Sequence, residues 1–392
     1  MNNALFSGMG KKAPLLIWLF PVLLGAQTVD VKDGVRVVHN VKGGVWGATP
    51  KVHLQLLRKI GDVDSLDENL AFNKPGDVAE DKDGNIYLAD PGDCRIRKFD
   101  REGKFLSAFG RKGQGPGEFA EIHSLDIESS GRLHVLDGRQ RRIQVLSAEG
   151  KEIRTILLRR YIDKLRVVGD GRYLVSEVYP GIQPVTPKML LKVIDEKEAV
   201  HNEFCLPVDF GEVVTNQVGN SINFAAGRGG SSAAAFIYQN RIEKYSPDGD
   251  LVWRANRPLN FETKVLEKGK FEATADMTRT TSPKMNSCSR GIAFDDQGRI
   301  WVVTYRRQIK PEEVIRVSQT ASSSGITVKR TGDTDLRTTD MYQLDIFESD
   351  GVFLGAIAVT HFVDGIWIFK DRLYLLDRDR GVTYHQYRIE ER

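Results

Sequence analysis

Four polar residues each fall one step before an apolar strand: His123, Asp163, Arg290 and Asp364. Two carboxylates and an imidazole suit a divalent cation such as calcium or zinc, and an arginine can orient an anionic group through paired hydrogen bonds. All four are ligand-binding candidates, and His123, Asp163 and Asp364 are the metal candidates of an alternative, catalytic reading. No ligand spacing known for metal sites supports that alternative. His361 lies near Asp364 in sequence but fits a loop position. Tyr305, Arg306 and Arg307 join the candidates because they leave a strand at the start of a long insertion, where they could meet an anionic or sugar ligand. The chain contains no serine nucleophile elbow, HExxH, CxxC or GxxxxGK[ST].

The elements that would carry these residues are legible as repeats. Residues 77–109 (DVAEDKDGNIYLADPGDCRIRKFDREGKFLSAF) and 124–156 (SLDIESSGRLHVLDGRQRRIQVLSAEGKEIRTI) align without a gap at an offset of 47. Each copy holds four short alternating strands, here called A to D, separated by turns such as Asp83-Gly84 and Glu102-Gly103. Fainter copies follow, and a sixth, ending in TYHQYRIEER, stops after three strands. Its missing outer strand is supplied by LQLLRKIG, Leu54 to Gly61. This predicts an all-β, six-bladed β-propeller closed by an N-terminal strand, with blades near 73–110, 120–158, 162–206, 218–256, 288–359 and 361–392 plus 54–61.

The stretch GQGPGEF, then DGNIYLAD and RIRKFDREGKFLSAFG, resembles the NHL repeat, and the whole chain is similar to exported six-bladed NHL-like propellers of bacteria. That resemblance implies an architecture shared by RNA binders, sensor domains, lactonases and an amidating lyase, so it does not by itself choose an activity. The glycine stretch Gly110 to Phe119 (GRKGQGPGEF) is followed by a strand where a phosphate loop needs a helix. It reads as a sharp link between blades, anchored by Phe119.

Antiparallel strands place the A–B and C–D connections on one face and the B–C and D–A connections on the other. Every long insertion falls in the second set: Pro180 to Lys188, Pro207 to Gly219, Leu259 to Ser289 and Arg306 to Asp340. Binding loops on a rigid scaffold are the usual reason for such one-sidedness. Part of the last insertion, Val317 to Gly332, is rich in serine and threonine and is expected to be flexible. Asp90 with Arg95, and Asp137 with Arg142, recur at one spacing and predict a structural turn pair; Asp377 keeps only the aspartate.

Residues 1–26 read as a signal peptide: Lys11 and Lys12, then the apolar run Ala13 to Ala26, too short for a membrane span. Gln27 stands where a lipidated chain would need cysteine, so the expectation is an exported protein, periplasmic or extracellular, not lipidated and without stable membrane insertion. Residues 27–52 are then an N-terminal extension. The net charge is +3, and removing the two lysines of the leader leaves +1, which gives no electrostatic claim on nucleic acid. Three scattered cysteines imply buried thiols. The favoured function is binding of a protein, peptide or carbohydrate on the long-loop face; the alternative is a metal-dependent hydrolase or lyase at the channel mouth.

Overall fold

The computed structural model describes residues 27–391 except 170, 179–187, 274–277, 323–324 and 334, and for 278 and 316–331 it describes the backbone only. The signal-peptide expectation and most of the Pro180 to Lys188 insertion therefore lie outside the described residues.

Six sheets form the ring. In blade one the strands are Val78–Glu80, Ile86–Asp90, Arg95–Phe99 and Phe105–Phe109, paired in that order, and blades two and three repeat the pattern up to Phe204. Blade four runs Ile222–Ala226, Ser232–Phe236, Ile242–Tyr245 and Leu251–Ala255; blade five runs Ser289–Phe294, Ile300–Tyr305, Thr338–Phe347 and Phe353–His361. Blade six takes Gly365–Phe369, Arg372–Asp377 and Thr383–Glu391 from the end of the chain and Val52–Ile60 from its beginning. The last two pair antiparallel from Val52↔Glu391 to Ile60↔Tyr384, which closes the ring as the repeat pattern predicts.

Burial explains why strands in the middle of a blade are apolar on both sides. Each blade has a neighbour on each face, so Ile86–Asp90, Leu133–Asp137 and Ser232–Phe236 are buried throughout. Apolar cores fill the gaps between neighbouring blades all round the ring, including Ile60, Tyr374 and Tyr384 of blade six against Val78, Leu88 and Phe99 of blade one. Cys94, Cys205 and Cys288 are free, buried thiols.

The short-turn face is built by local side-chain bonds. Asp81 accepts the amides of Asp83 and Asn85, and Asp100, Asp195 and Asp295 do the same for their own turns. These turns therefore stay short. On the other face, 205–221 carries a helix, Val213–Gly219, capped by Glu212, whose carboxylate accepts the Val214 and Thr215 amides. Two small ladders, Val265–Glu267 with Lys284–Met285 and Lys270–Ala273 with Thr278–Thr281, occupy the link from blade four to five. The serine- and threonine-rich insertion contains an antiparallel hairpin, Arg316–Ser322 with Gly325–Thr331. Its alternation of β-branched and polar residues suits a two-stranded ribbon.

Residues 27–52 do more than extend the chain. Thr28–Lys32 and Val35–His39 form a hairpin whose second strand pairs parallel with Leu251–Ala255, making blade four six-stranded. Val38 is fully buried in the core that holds Trp253. Asn40 then ties two blades: its amide nitrogen donates to the Asn256 and Gly351 carbonyls, and its side-chain oxygen accepts the Phe353 amide.

Two sequence details resolve differently at the B–C turns. Asp90 pairs with Arg97 at 2.5 Å, not with Arg95, whose side chain is exposed. Asp90 also accepts the amides of Asn73 and Lys74, and Asp137 accepts those of Ala120 and Glu121. The repeated aspartate thus pins the link arriving from the previous blade. Arg142 stands 3.6 Å from Asp137 and gives its hydrogen bonds to the carbonyls of Gln114, Gly115 and Glu118. That glycine link is further held by Glu118, which accepts the Gln114 and Gly115 amides and Arg111, and by the fully buried Phe119. At Gly117 the backbone is left-handed, φ +69°, which glycine adopts without strain. Glu118→Ala is expected to loosen this link and lower stability, since it removes the acceptor of two backbone amides and an arginine. Urea denaturation checks it.

Candidate functional site

The four residues picked out before strand A share a structural reason. In blades two, three and five, the inner strand shifts register between Ile122 and Ser124, Ile162 and Lys164, and Ser289 and Gly291. His123, Asp163 and Arg290 are the extra residues of β-bulges. In blade six the Leu376 carbonyl accepts the Asp364 amide while Gly365 sits opposite Leu376, so Asp364 takes the equivalent place. A bulge re-aims its side chain, which is why bulges recur beside binding sites. Blade four has a regular register here.

Two of the four meet. Arg290 Nε and Nη2 lie 3.2 and 2.6 Å from Asp364 Oδ1, while Asp364 Oδ2 accepts the Arg378 amide. Arg290 Nη1 has no protein partner among the described residues. Burial works against the Arg290 charge, but Asp364 outweighs it and holds the guanidinium protonated above its ordinary range. Both residues line a cavity of about 280 Å3 between blades five and six, together with Tyr305, Tyr342, Met341 and Phe362. The Tyr305 and Tyr342 rings stand 5.0 Å apart, and burial raises the Tyr342 hydroxyl, so it stays a neutral donor.

The cavity rim is braced by the long insertion. Arg307 donates to Glu313 and Asp340, and these bonds, ahead of the opposing effect of burial, hold the Glu313 carboxyl down at about 2. Arg380 reaches the carbonyls of Glu313 and Asp333 and stacks on Phe362 at 3.9 Å. Arg307, predicted to contact ligand, is therefore committed to the loop. Arg306 is exposed. The arrangement can hold an anionic group on Arg290 with the neutral Tyr342 hydroxyl and apolar surface beside it, and Glu313, Asp377 and Asp379 complete the lining.

His123 and Asp163 lie elsewhere. The His123 imidazole packs against Gly138 and approaches Glu121 at 3.5 Å. Asp163 lines a separate cavity between blades three and four. Among the described residues no three His, Cys, Asp or Glu side chains gather as metal ligands, so His123, Asp163 and Asp364 do not form a ligand set.

Sequence reasoning missed an ionic network on the inner strands of blades one to three. Arg166 donates to Asp77 at 3.0 Å and to Ser124 at 3.1 Å; the Ser124 hydroxyl donates to Asp77 at 2.8 Å; Asp126 accepts the Val167 amide. Burial would raise Asp77, yet Arg166 and Lys164 bring it below the usual range, whereas burial dominates at Asp126 and raises it. Charged residues inside SLDI and IDKLRV were the available signal. A cleft of about 1020 Å3 opens on the opposite face among the tight turns at Glu128, Gly169 and Gly229, away from every candidate residue.

A family model described as a 6-bladed β-propeller matches residues 67–175. Over 172 residues the chain is 28% identical to NHL repeat-containing protein 3 of Homo sapiens, which covers 38% of this chain and 49% of that protein. The chain thus spans about half the length of the curated relatives it matches. A probable peptidyl-α-hydroxyglycine α-amidating lyase of Caenorhabditis elegans is 40% identical over 82 residues, 20% of this chain and 23% of that one. Among solved structures, a DUF4221 family member from Bacteroides vulgatus superposes with a TM-score of 0.56 at 11% identity, covering 87% of this chain and 99% of its own. A Bacteroides fragilis protein described as exported gives 0.50 at 9% identity, covering 91% and 99%. At such identities the likeness shows the fold alone.

Proposed function

We propose that this six-bladed β-propeller of NHL type is a non-catalytic binding protein that recognises a protein, peptide or carbohydrate partner on its long-loop face. Its anchoring point is the cavity between blades five and six, and it takes an anionic group of the partner. The observation that carries this reading is Arg290, aimed by a bulge, fixed by Asp364 and left with Nη1 unpaired beneath a braced insertion. An arginine already held in place loses little freedom on binding, which favours it as an anchor. The leader-like sequence of residues 1–26 supports export; no helix of the described residues is long and apolar enough to cross a membrane.

The match to an amidating lyase keeps a catalytic alternative in view. The donor set does not fit the metal that alternative would use, since the candidate ligands do not converge among the described residues.

The test is binding of the purified chain to peptide and glycan arrays, comparing acidic with neutral members. Acidic members should be retained preferentially, and Arg290→Gln should weaken them about 10- to 100-fold while the circular dichroism stays unchanged. Binding unaffected by Arg290→Gln, or no acidic member retained by the intact protein, would overturn the assignment.

A further inference from the structure

The bulge in blade three does something the one in blade five does not. In a regular strand, successive side chains point to opposite faces. The register shift between Ile162 and Lys164 breaks that alternation, so the neighbours Asp163 and Lys164 both line one cavity of about 370 Å3 between blades three and four. In blade five the bulged Arg290 is held by Asp364 through Nε and Nη2. Here neither Asp163 nor Lys164 has a hydrogen-bond or ion-pair partner within reach among the described residues, and they do not form an ion pair with each other.

The rest of the wall shows which charges are already spent. Glu177 lies 2.8 Å from both Arg160 Nη1 and Lys192 Nζ, and Glu203 stands 3.9 Å from the same lysine, so these two carboxylates balance the two cations. Asn223 presents a buried side-chain Nδ2 with no partner. Ser176 and Ser221 add hydroxyls, and Leu190 and Ile237 give the cavity an apolar side. Leaving buried donors and charges unpaired is costly in an empty cavity, and a ligand of matching polarity removes that cost.

One anion and one cation on the blade-three side, beyond ion-pair distance of each other, and one unpaired amide donor on the blade-four side match a small zwitterion. We propose that this cavity binds a free α-amino acid, its ammonium on Asp163, its carboxylate on Lys164 with Asn223, and its side chain toward Leu190 and Ile237. The site is distinct from the Arg290 cavity and does not depend on the function assigned there. Lys164 supports the assignment further: burial draws its ammonium below the ordinary lysine range, and the Asp77 and Asp163 charges that oppose this act from beyond ion-pair distance, so an added carboxylate gives it a direct partner.

Calorimetric titration of the full chain with each of the proteinogenic L-amino acids, to millimolar concentration, tests the proposal. At least one should bind saturably, and its N-acetyl and carboxamide derivatives, each missing one charge, should bind at least about tenfold more weakly. Asp163→Asn should abolish discrimination against the N-acetyl derivative, and Lys164→Met that against the carboxamide. Arg290→Gln should leave the titration unchanged, which separates this site from the anionic anchor. No binding by any amino acid, equal binding of the charge-deleted derivatives, or full affinity in both folded cavity variants would overturn it.

Discussion

Arg97→Met is expected to destabilise the fold by about 3–5 kcal/mol, the penalty for stranding one member of a buried ion pair. Asp90 is fully buried and the Arg97 side chain is 3% exposed, so water cannot replace the lost partner. Arg97 also donates to the Ala71 carbonyl and to Asp93, and its guanidinium lies 4.6 Å over the Phe72 ring. One substitution therefore loosens both the turn and the link from blade six to blade one. Arg95→Met is the internal control, because that side chain is exposed and its removal should change stability by no more than about 0.5 kcal/mol. Urea denaturation of the two variants gives the comparison; equal midpoints would show that the pairing does not matter.

The second large effect is set by acid. His361 and His385 stack at 3.7 Å between the outer parts of blades five and six, and both rings are buried. Burial pulls His361 down to about 4 and His385 to about 3, with the neighbouring imidazole and Lys59 adding to the latter. Both rings are neutral in the folded protein at pH values where the unfolded chain is already protonated. Their stability contribution is thus complete above the unfolded value near 6.5 and is lost as pH falls towards the folded values. At pH 4.5 the loss should be on the order of 2–3 kcal/mol for each imidazole. Asp345 and Asp377, both raised to about 6 by burial, act with the opposite sign, because the folded form takes up their protons first. The double variant His361→Gln/His385→Gln keeps both carboxyls and isolates the imidazoles. Its stability, measured by urea at pH 7 and pH 4.5, should fall less than that of the natural chain across this interval; an identical fall would sink the assignment.

How much of this was legible in the sequence depended on whether a residue acts within its own repeat or across to another. The tight turns at Asp81, Asp100 and Asp295 are local, so four-stranded copies could be read off directly, and the missing strand of the sixth copy identified the closure. Asp90 was rightly assigned a structural role, yet its partner was misassigned: Arg95 lies directly opposite it in the ladder but turns its side chain out to solvent, whereas Arg97, two residues on and on the same face, is buried and reaches back to the carboxylate. The hairpin at Thr28–Lys32 and Val35–His39 repeats nothing, and its parallel pairing to blade four had no precedent in the other copies. The bulged positions were found by alignment, but which of them meet is a question of ring geometry: adjacent blades bring Arg290 to Asp364, whereas His123 and Asp163 serve other interfaces.

The seam between Val52–Ile60 and Thr383–Glu391 also orders events in time. Thr383 donates its hydroxyl to the Ile60 carbonyl across 323 residues of chain. Loop-closure entropy grows only slowly with such length, but contacts this distant in sequence slow folding. During synthesis Val52–Ile60 is made long before its native partner Thr383–Glu391. The earliest strand of the ring is among the last to be seated, and the ring cannot close until Thr383–Glu391 has been made.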